Sequence, residues 1–315
     1  MNTRENVWPR LTGLDVRATT DTLHLWTQVA GKVRLMLTPW INHSWHVPLY
    51  VSVRGLTTGP MSVPGRTIEI EFDLITDRLL LSDSGGRHAE VALVSQSVAG
   101  FYAATMKALD DLGLPVKVDP VPCEIADPIA FHDDQAPRTY DGATARAFWR
   151  ALLETQRVFQ IFRSRFSGKC SPIHFFWGSF DLAVTRFSGR PAPQHPGGVP
   201  HLPDAVVREA YSHEVSSAGF WPGNGTSKPP SFYSYAYPSP QGFSKAPVQP
   251  REAYFDDALG EFLLPYDVVQ MSEDPDGTLL RFLQSTYEAA ATLAHWDRAS
   301  LERPSGLIGK PSAPA

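Results

Sequence analysis

The spacing of apolar residues predicts most of the regular structure of this chain. Between residues 22 and 37 they fall at Leu23, Trp26, Ala30, Val33 and Leu37, the three-four rhythm of a helix. Leu25, Val29, Leu35 and Met36 make its other faces apolar too, so this helix is expected to be largely buried. His24, Gln28 and Lys32 form its one clearly polar line, expected to be a solvated strip. After Pro39 the chain turns through Trp40 to His46, and Val47, Leu49, Val51 and Val53 then alternate as a strand. Residues 67–74 and 78–82 predict a hairpin, and 89–94 a further strand. Ser97 stands where a cap is needed for a helix with the face Val98, Tyr102, Thr105, Leu109 and Leu112, which Gly113 and Pro115 stop.

A stretch with four prolines and several acids, 119–142, reads as a connector. A long helix follows over 143–166, with Phe148, Leu152, Phe159, Phe162 and Phe166 on one side. Its arginines are expected on a solvated face, with Arg150 and Glu154 at pairing distance. Residues 171–187 predict one long or two short strands. Pro-rich loops cover 189–203 and 221–250, broken by an aromatic strand at 232–237, and 261–269 reads as an edge segment holding Pro265. Leu280, Leu283, Tyr287, Ala290 and Ala294 mark a last helix, and the tail 304–315 reads as disordered. The order helix, strands, helix therefore occurs twice, which suggests an internal duplication. The expected fold is α+β, antiparallel sheets covered by long helices. An N-terminal half spans 1–118, the connector 119–142, and a C-terminal half with long Pro/aromatic loops 143–303.

Bulk composition narrows the function classes. Of 315 residues, 43% are hydrophobic and 19% charged, a globular balance. A formal net charge of -5 gives no general attraction for nucleic acid or anionic membranes, so neither is an expected partner. The oligomeric state is left open. Two cysteines, Cys123 and Cys170, cannot frame a small fold with disulfides and suggest a reducing compartment. With no secretory leader in the first residues and no apolar run of about 18 residues, the expected location is cytoplasmic.

Several familiar signatures fail. Gly168-Lys169 lacks the P-loop partners, since Arg163 and Cys170 occupy the required positions. His213-Glu214 begins like a zinc-protease helix, but position 217 is Ser217. There is no nucleophile elbow and no dinucleotide-binding glycine loop, so no cofactor is signalled.

The densest polar-aromatic stretch is 166–190. Simple strand alternation puts His174, Phe176, Phe180, Leu182, Val184 and Arg186 on one face, with Phe175, Trp177, Ser179, Asp181 and Thr185 on the other. It is either a core strand with polar ends or a pocket wall, with His174 as acid or base and Arg186 as an anion clamp. A second candidate, 211–223, places His213 and Glu214 between two Pro-rich loops as a proton-transfer pair or as metal ligands, or else as a packed loop whose His bonds to backbone. A third is His43 and His46, followed by Tyr50 and Arg54; with a further His they could ligate a metal, but no specific spacing assigns one.

These blocks, 168–190 and 211–223, together with 54–58 (Arg-Gly-Leu-Thr-Thr), resemble a bacterial family of unknown function, domain of unknown function 5996, from Trp8 to about Glu302. The resemblance implies a stand-alone soluble protein and brings no activity. The leading expectation is an enzyme acting by acid–base chemistry on a small polar or anionic metabolite. His174, His213, Glu214 and Asp181 are its catalytic candidates. Lys169, Arg186, Arg190 and Arg54 are candidates to hold the ligand's polar groups, and Trp177, Phe220 and Trp221 its walls. The rivals are a binding protein for a small molecule or a protein, and a His-ligated metalloenzyme.

Overall fold

The computed structural model describes residues 7–11, 16–223 and 228–303; the tail 304–315 lies outside them. Helix α1 (Val16–Leu37) is buried on nearly every side, as its all-round apolar character requires. Its polar line is not solvated either, Gln28 and Lys32 being buried and His24 partly so, which corrects the solvated strip expected from the sequence. Gln28 grips the backbone of Cys123 with both ends of its amide, at 3.0 and 2.9 Å. His24 Nε2 bonds the Gly178 carbonyl at 2.8 Å, and Lys32 reaches Asp119. The line is an anchor for two loops.

The first sheet is antiparallel: β1 (Tyr50–Val51), β2 (Gly55–Thr57), β3 (Met61–Val63), β4 (Arg66–Asp73), β5 (Arg78–Asp83) and β6 (His88–Ala92), in the order β1-β2-β4-β5-β6 with β3 also on β4. The alternating stretch 47–53 contributes only the short β1, because its N-terminal end pairs elsewhere. Leu49 exchanges backbone hydrogen bonds of 2.8 and 2.7 Å with Phe175 and so ties the two sheets together. Helix α2 (Val98–Asp111) is capped by the Ser97 side chain, and Phe101 stacks on Trp26 at 4.6 Å.

No helix or strand forms between α2 and α3 (Gly142–Ser164), which Asp141 caps. On α3, Glu154 pairs with Arg157, not with Arg150. The second sheet comprises β7 (His174–Phe176), β8 (Asp181–Pro191), β9 (His213–Trp221), β10 (Ser231–Tyr237), β11 (Tyr254–Asp256) and β12 (Glu261–Pro265), in the order β7-β8-β9-β10-β12-β11. Two sequence expectations change here. The 211–223 stretch holds a central strand, β9, where a loop was one expectation. The 261–269 stretch divides into interior β12 and α5 (Tyr266–Gln270), with β11 taking the edge. Helices α3 and α6 (Pro275–Leu293) cover one face of this sheet, where Phe148 packs on Phe220 and Phe220 on Phe232. The other face carries α4 (Asp204–Ala210) and the loop before it; α7 (Arg298–Leu301) closes the described chain. None of the described helices is long and apolar enough to cross a membrane.

Candidate functional site

The face of the second sheet turned away from α3 forms the floor of a cavity of about 650 Å³. Which residues reach it depends on the β7–β8 hairpin. His174 pairs with Ala183 and Phe176 with Asp181, across a turn in which Phe180 takes a left-handed φ of 59°. An even-numbered residue of β7 therefore shares its face with odd-numbered residues of β8. His174 and Phe176 join Asp181, Ala183, Thr185 and Phe187 on the cavity floor, while Leu182, Val184 and Arg186 face the helices. Alternation counted straight through the turn puts His174 and Arg186 together; the hairpin separates them.

Next along the floor, β9 sets Gly219 beside Ala183 and Ser217 beside Thr185, and β10 sets Tyr233 and Tyr235 beside those. Tyr233 crosses Gly219 and donates its hydroxyl to Asp181, which also accepts from Ser179. Thr185 and Ser217 share a hydrogen bond of 2.8 Å, and the Tyr211 and Tyr235 hydroxyls one of 2.9 Å.

Two more carboxyls arrive from outside these strands. Glu124 comes from the connector, held in place because Gln28 fixes Cys123 beside it. Its carboxyl rests on Gly178, where a Cβ would stand 2.0 Å from Oε1. Glu261 opens β12. Neither carboxyl has a hydrogen bond or ion pair to another described residue, and both line the cavity. The roof is apolar: Val199, Leu202, Pro203, Val206 and Val207 from α4 and its leading loop, with Trp40 and Leu259 half-exposed at the margin. No lysine or arginine is among the described residues of the lining.

Burial dominates the electrostatics, opposed at Glu261 by the charge of Lys228. It pushes Glu124 up to about 7 and Glu261 up to about 7, and in both the charge of Asp181 pushes the same way. Asp181 is itself raised by burial, against the opposing pull of its bonds from Ser179 and Tyr233. The Tyr233 and Tyr235 hydroxyls are driven well above the usual range by burial and then by the neighbouring acidic groups. Burial, aided by Arg34, lowers His174 to about 3, so its imidazole is neutral. Its Nδ1 is buried with no hydrogen-bond partner.

Of the residues chosen from the sequence, Asp181, His174, Trp177 and Trp221 line the cavity. Lys169 lies outside the lining, with Nζ 2.6 Å from Nε2 of His43, which does line it. The rest are placed elsewhere. His213 opens β9 with Nδ1 3.1 Å from Ser212 Oγ and is not part of the lining. Glu214 points to the other face of the same strand and pairs with Arg190 at 2.7 Å. Arg190 also donates to the carbonyls of Ala294 and His295 at the end of α6. Arg186 is fully buried under α3, its guanidinium 3.5 Å from the Phe162 ring and 4.3 Å from that of Tyr287. Phe220 belongs to that same core, and Arg54 pairs with Asp73 in the first sheet. His43 donates from Nδ1 to the carbonyl of Ala210 at the end of α4, and His46 bonds to the Ile41 backbone. Among the described residues no three His, Cys, Asp or Glu side chains are grouped to hold a metal ion. Burial raises the Cys170 thiol despite its nearby arginines.

The model of a family of unknown function, DUF5996, matches residues 8–303. The chain belongs to this family. No curated protein and no solved structure gives a significant match. In this DUF5996 protein, the residues that sequence reasoning passed over are Glu124, Tyr211, Tyr233, Tyr235 and Glu261. The tyrosines left a trace, since Tyr233 and Tyr235 alternate on a short aromatic strand. Glu124 left none, being one acid among several in a proline-rich connector.

Proposed function

We propose that this protein is an enzyme that moves protons on a small, largely apolar molecule seated between the second sheet and α4. The observation that carries this reading is the pair Glu124 and Glu261, both lining one cavity and both raised to about 7 by burial and by the charge of Asp181. A carboxyl poised near neutrality serves either as base or as acid, and two of them provide one of each at a single pH. Asp181 is the orienting carboxylate, fixed by Ser179 and Tyr233. His174 supplies a neutral hydrogen-bonding group two positions along the same floor. The apolar roof and the ring-lined floor suit a molecule that is mostly hydrocarbon or aromatic. Anion binding drops out of the proposal, because the arginines first considered for it are engaged elsewhere. Two free thiols fit work in the reducing cytoplasm.

The apolar roof equally favours a second reading, a binding protein that stores or carries the same class of molecule. Native mass spectrometry of protein purified from its host identifies the retained compound, and that compound then seeds a turnover screen. Glu124→Gln and Glu261→Gln are expected to remove turnover of that compound in protein that still folds. Wild-type protein that binds the compound without converting it would establish the carrier.

A further inference from the structure

The chemistry of the cavity walls narrows the ligand further, an argument that rests on the binding site just proposed. The charge of Asp181 acts on both Glu124 and Glu261, and the phenol of Tyr211 feels all three. No guanidinium or ammonium belongs to the described lining, and Lys228, which acts on Glu261 from outside it, is paired with Asp256. The hydroxyls of Tyr233 and Ser179 are spent on Asp181. What remains for a ligand is therefore mainly acceptor oxygens, those of Glu124 and Glu261 above all. A buried carboxyl is costly when ionised alone and still costly as an unbonded neutral group. A ligand that donates hydrogen bonds and carries positive charge removes both costs.

An independent feature points the same way. His174 is buried on the cavity floor, held neutral, and its Nδ1 has no protein partner. It lies diagonal to Asp181 through the pairs His174–Ala183 and Phe176–Asp181. A neutral imidazole can accept a proton donor from the ligand without repelling a cation. Trp177, Trp221, Phe176, Tyr233 and Tyr235 add aromatic faces, which attract cations where water is excluded. From Asp181 to Phe187 the floor runs six residues along β8, about 20 Å at 3.3 Å per residue, which leaves room for an apolar body beyond a charged head.

We infer that the ligand is a protonated amine on an aromatic or aliphatic body, its ammonium held by Glu124, Asp181 and Glu261. The test uses the full chain and three probes of one shape: 4-phenylbutylamine, 4-phenylbutan-1-ol and 4-phenylbutanoate. Binding is followed by calorimetry at about pH 8, where the amine is charged and the two glutamates are ionised. The amine is expected to bind at least about tenfold more tightly than either relative, a difference of about 1.4 kcal/mol. In the double variant Glu124→Gln, Glu261→Gln that preference falls to about threefold or less; circular dichroism checks its fold, which loses no protein hydrogen bond at these positions. In the wild type the preference also shrinks at about pH 5.5 as both glutamates take up protons. Tighter or equal binding of the carboxylate or the alcohol overturns the inference but leaves the cavity as a binding site. An amine preference that survives in the double variant overturns it as well. Failure of all three probes to bind removes the amine assignment, while the turnover screen with the retained host compound still judges the acid–base proposal by itself.

Discussion

The ring of Tyr233 lies across Gly219, so that a Cβ at 219 would stand 2.4 Å from both the Tyr233 Cζ and its hydroxyl oxygen. The two residues are direct cross-strand partners on β9 and β10. Only a residue without a side chain lets the phenol reach over β9 to Asp181 on β8. Gly219→Ala is expected to push the ring aside, break that hydrogen bond and destabilise the protein by roughly 1–3 kcal/mol. Tyr233→Phe loses the same bond without the clash. Urea denaturation of both single variants and the double variant checks this: the second substitution should add little to the first. Full additivity would show that the glycine and the hydroxyl act separately.

The glutamates make stability depend on pH in a stated direction. Burial raises both folded-state values from the ordinary 4.5 to about 7. Their contribution is therefore fully present below about 4.5 and is lost as pH rises through about 7. From these two groups alone, the thermal midpoint falls between about pH 5 and pH 8. Glu124→Gln with Glu261→Gln should flatten that slope and raise the midpoint at the alkaline end. Scanning calorimetry across the range would contradict the assignment if the variant's slope matched that of the wild type.

Gln28 is expected to act on the site from a distance. Its amide donates to and accepts from the Cys123 backbone, next to Glu124. Gln28→Ala leaves those two backbone groups buried without partners, at a cost of about 1–3 kcal/mol each before relaxation. Hydrogen–deuterium exchange should rise in the connector around 119–127 before it rises in β8 or β9. Probe binding should weaken in proportion to the loss of order at Glu124. Unchanged exchange at the connector would remove Gln28 from this role.

Arg186 is predicted to be replaceable by an apolar residue of similar length. It has no carboxylate partner; one Nη atom donates to the Phe162 carbonyl, and Nε and the other Nη have no partner. Burial lowers it to about 10, the sign of a charge held at a cost. Arg186→Met should therefore be near neutral or stabilising by about 1 kcal/mol or more. Arg186→Ala, which opens a space between Phe162 and Tyr287, should destabilise by about 2–5 kcal/mol. Neither should alter probe affinity more than about twofold. A loss of affinity in Arg186→Met would restore this side chain to the site.

Much of the architecture was legible along the chain. Helical spacing found α1, α2, α3 and α6, and Ser97 does cap α2. The 67–82 hairpin is β4 and β5. These features rest on contacts between near neighbours, where periodicity and capping carry the information. Asp181, His174, Trp177 and Trp221, which the sequence pointed to because polar groups set among rings need partners, line the cavity.

The sequence by itself determined the class of fold, the long helices and the aromatic richness of the second half. Tertiary structure alone decided which polar groups meet. A four-residue turn between Phe176 and Asp181 fixed which face His174 joins, and so parted it from Arg186. Glu124 lies 57 residues from Asp181 along the chain, and Glu261 lies 80. Nothing local brings them together; a buried glutamine on α1, a glycine turn and the order of six strands do so. Side-chain alternation is a local property, whereas the convergence of charges depends on how distant backbones close on one another.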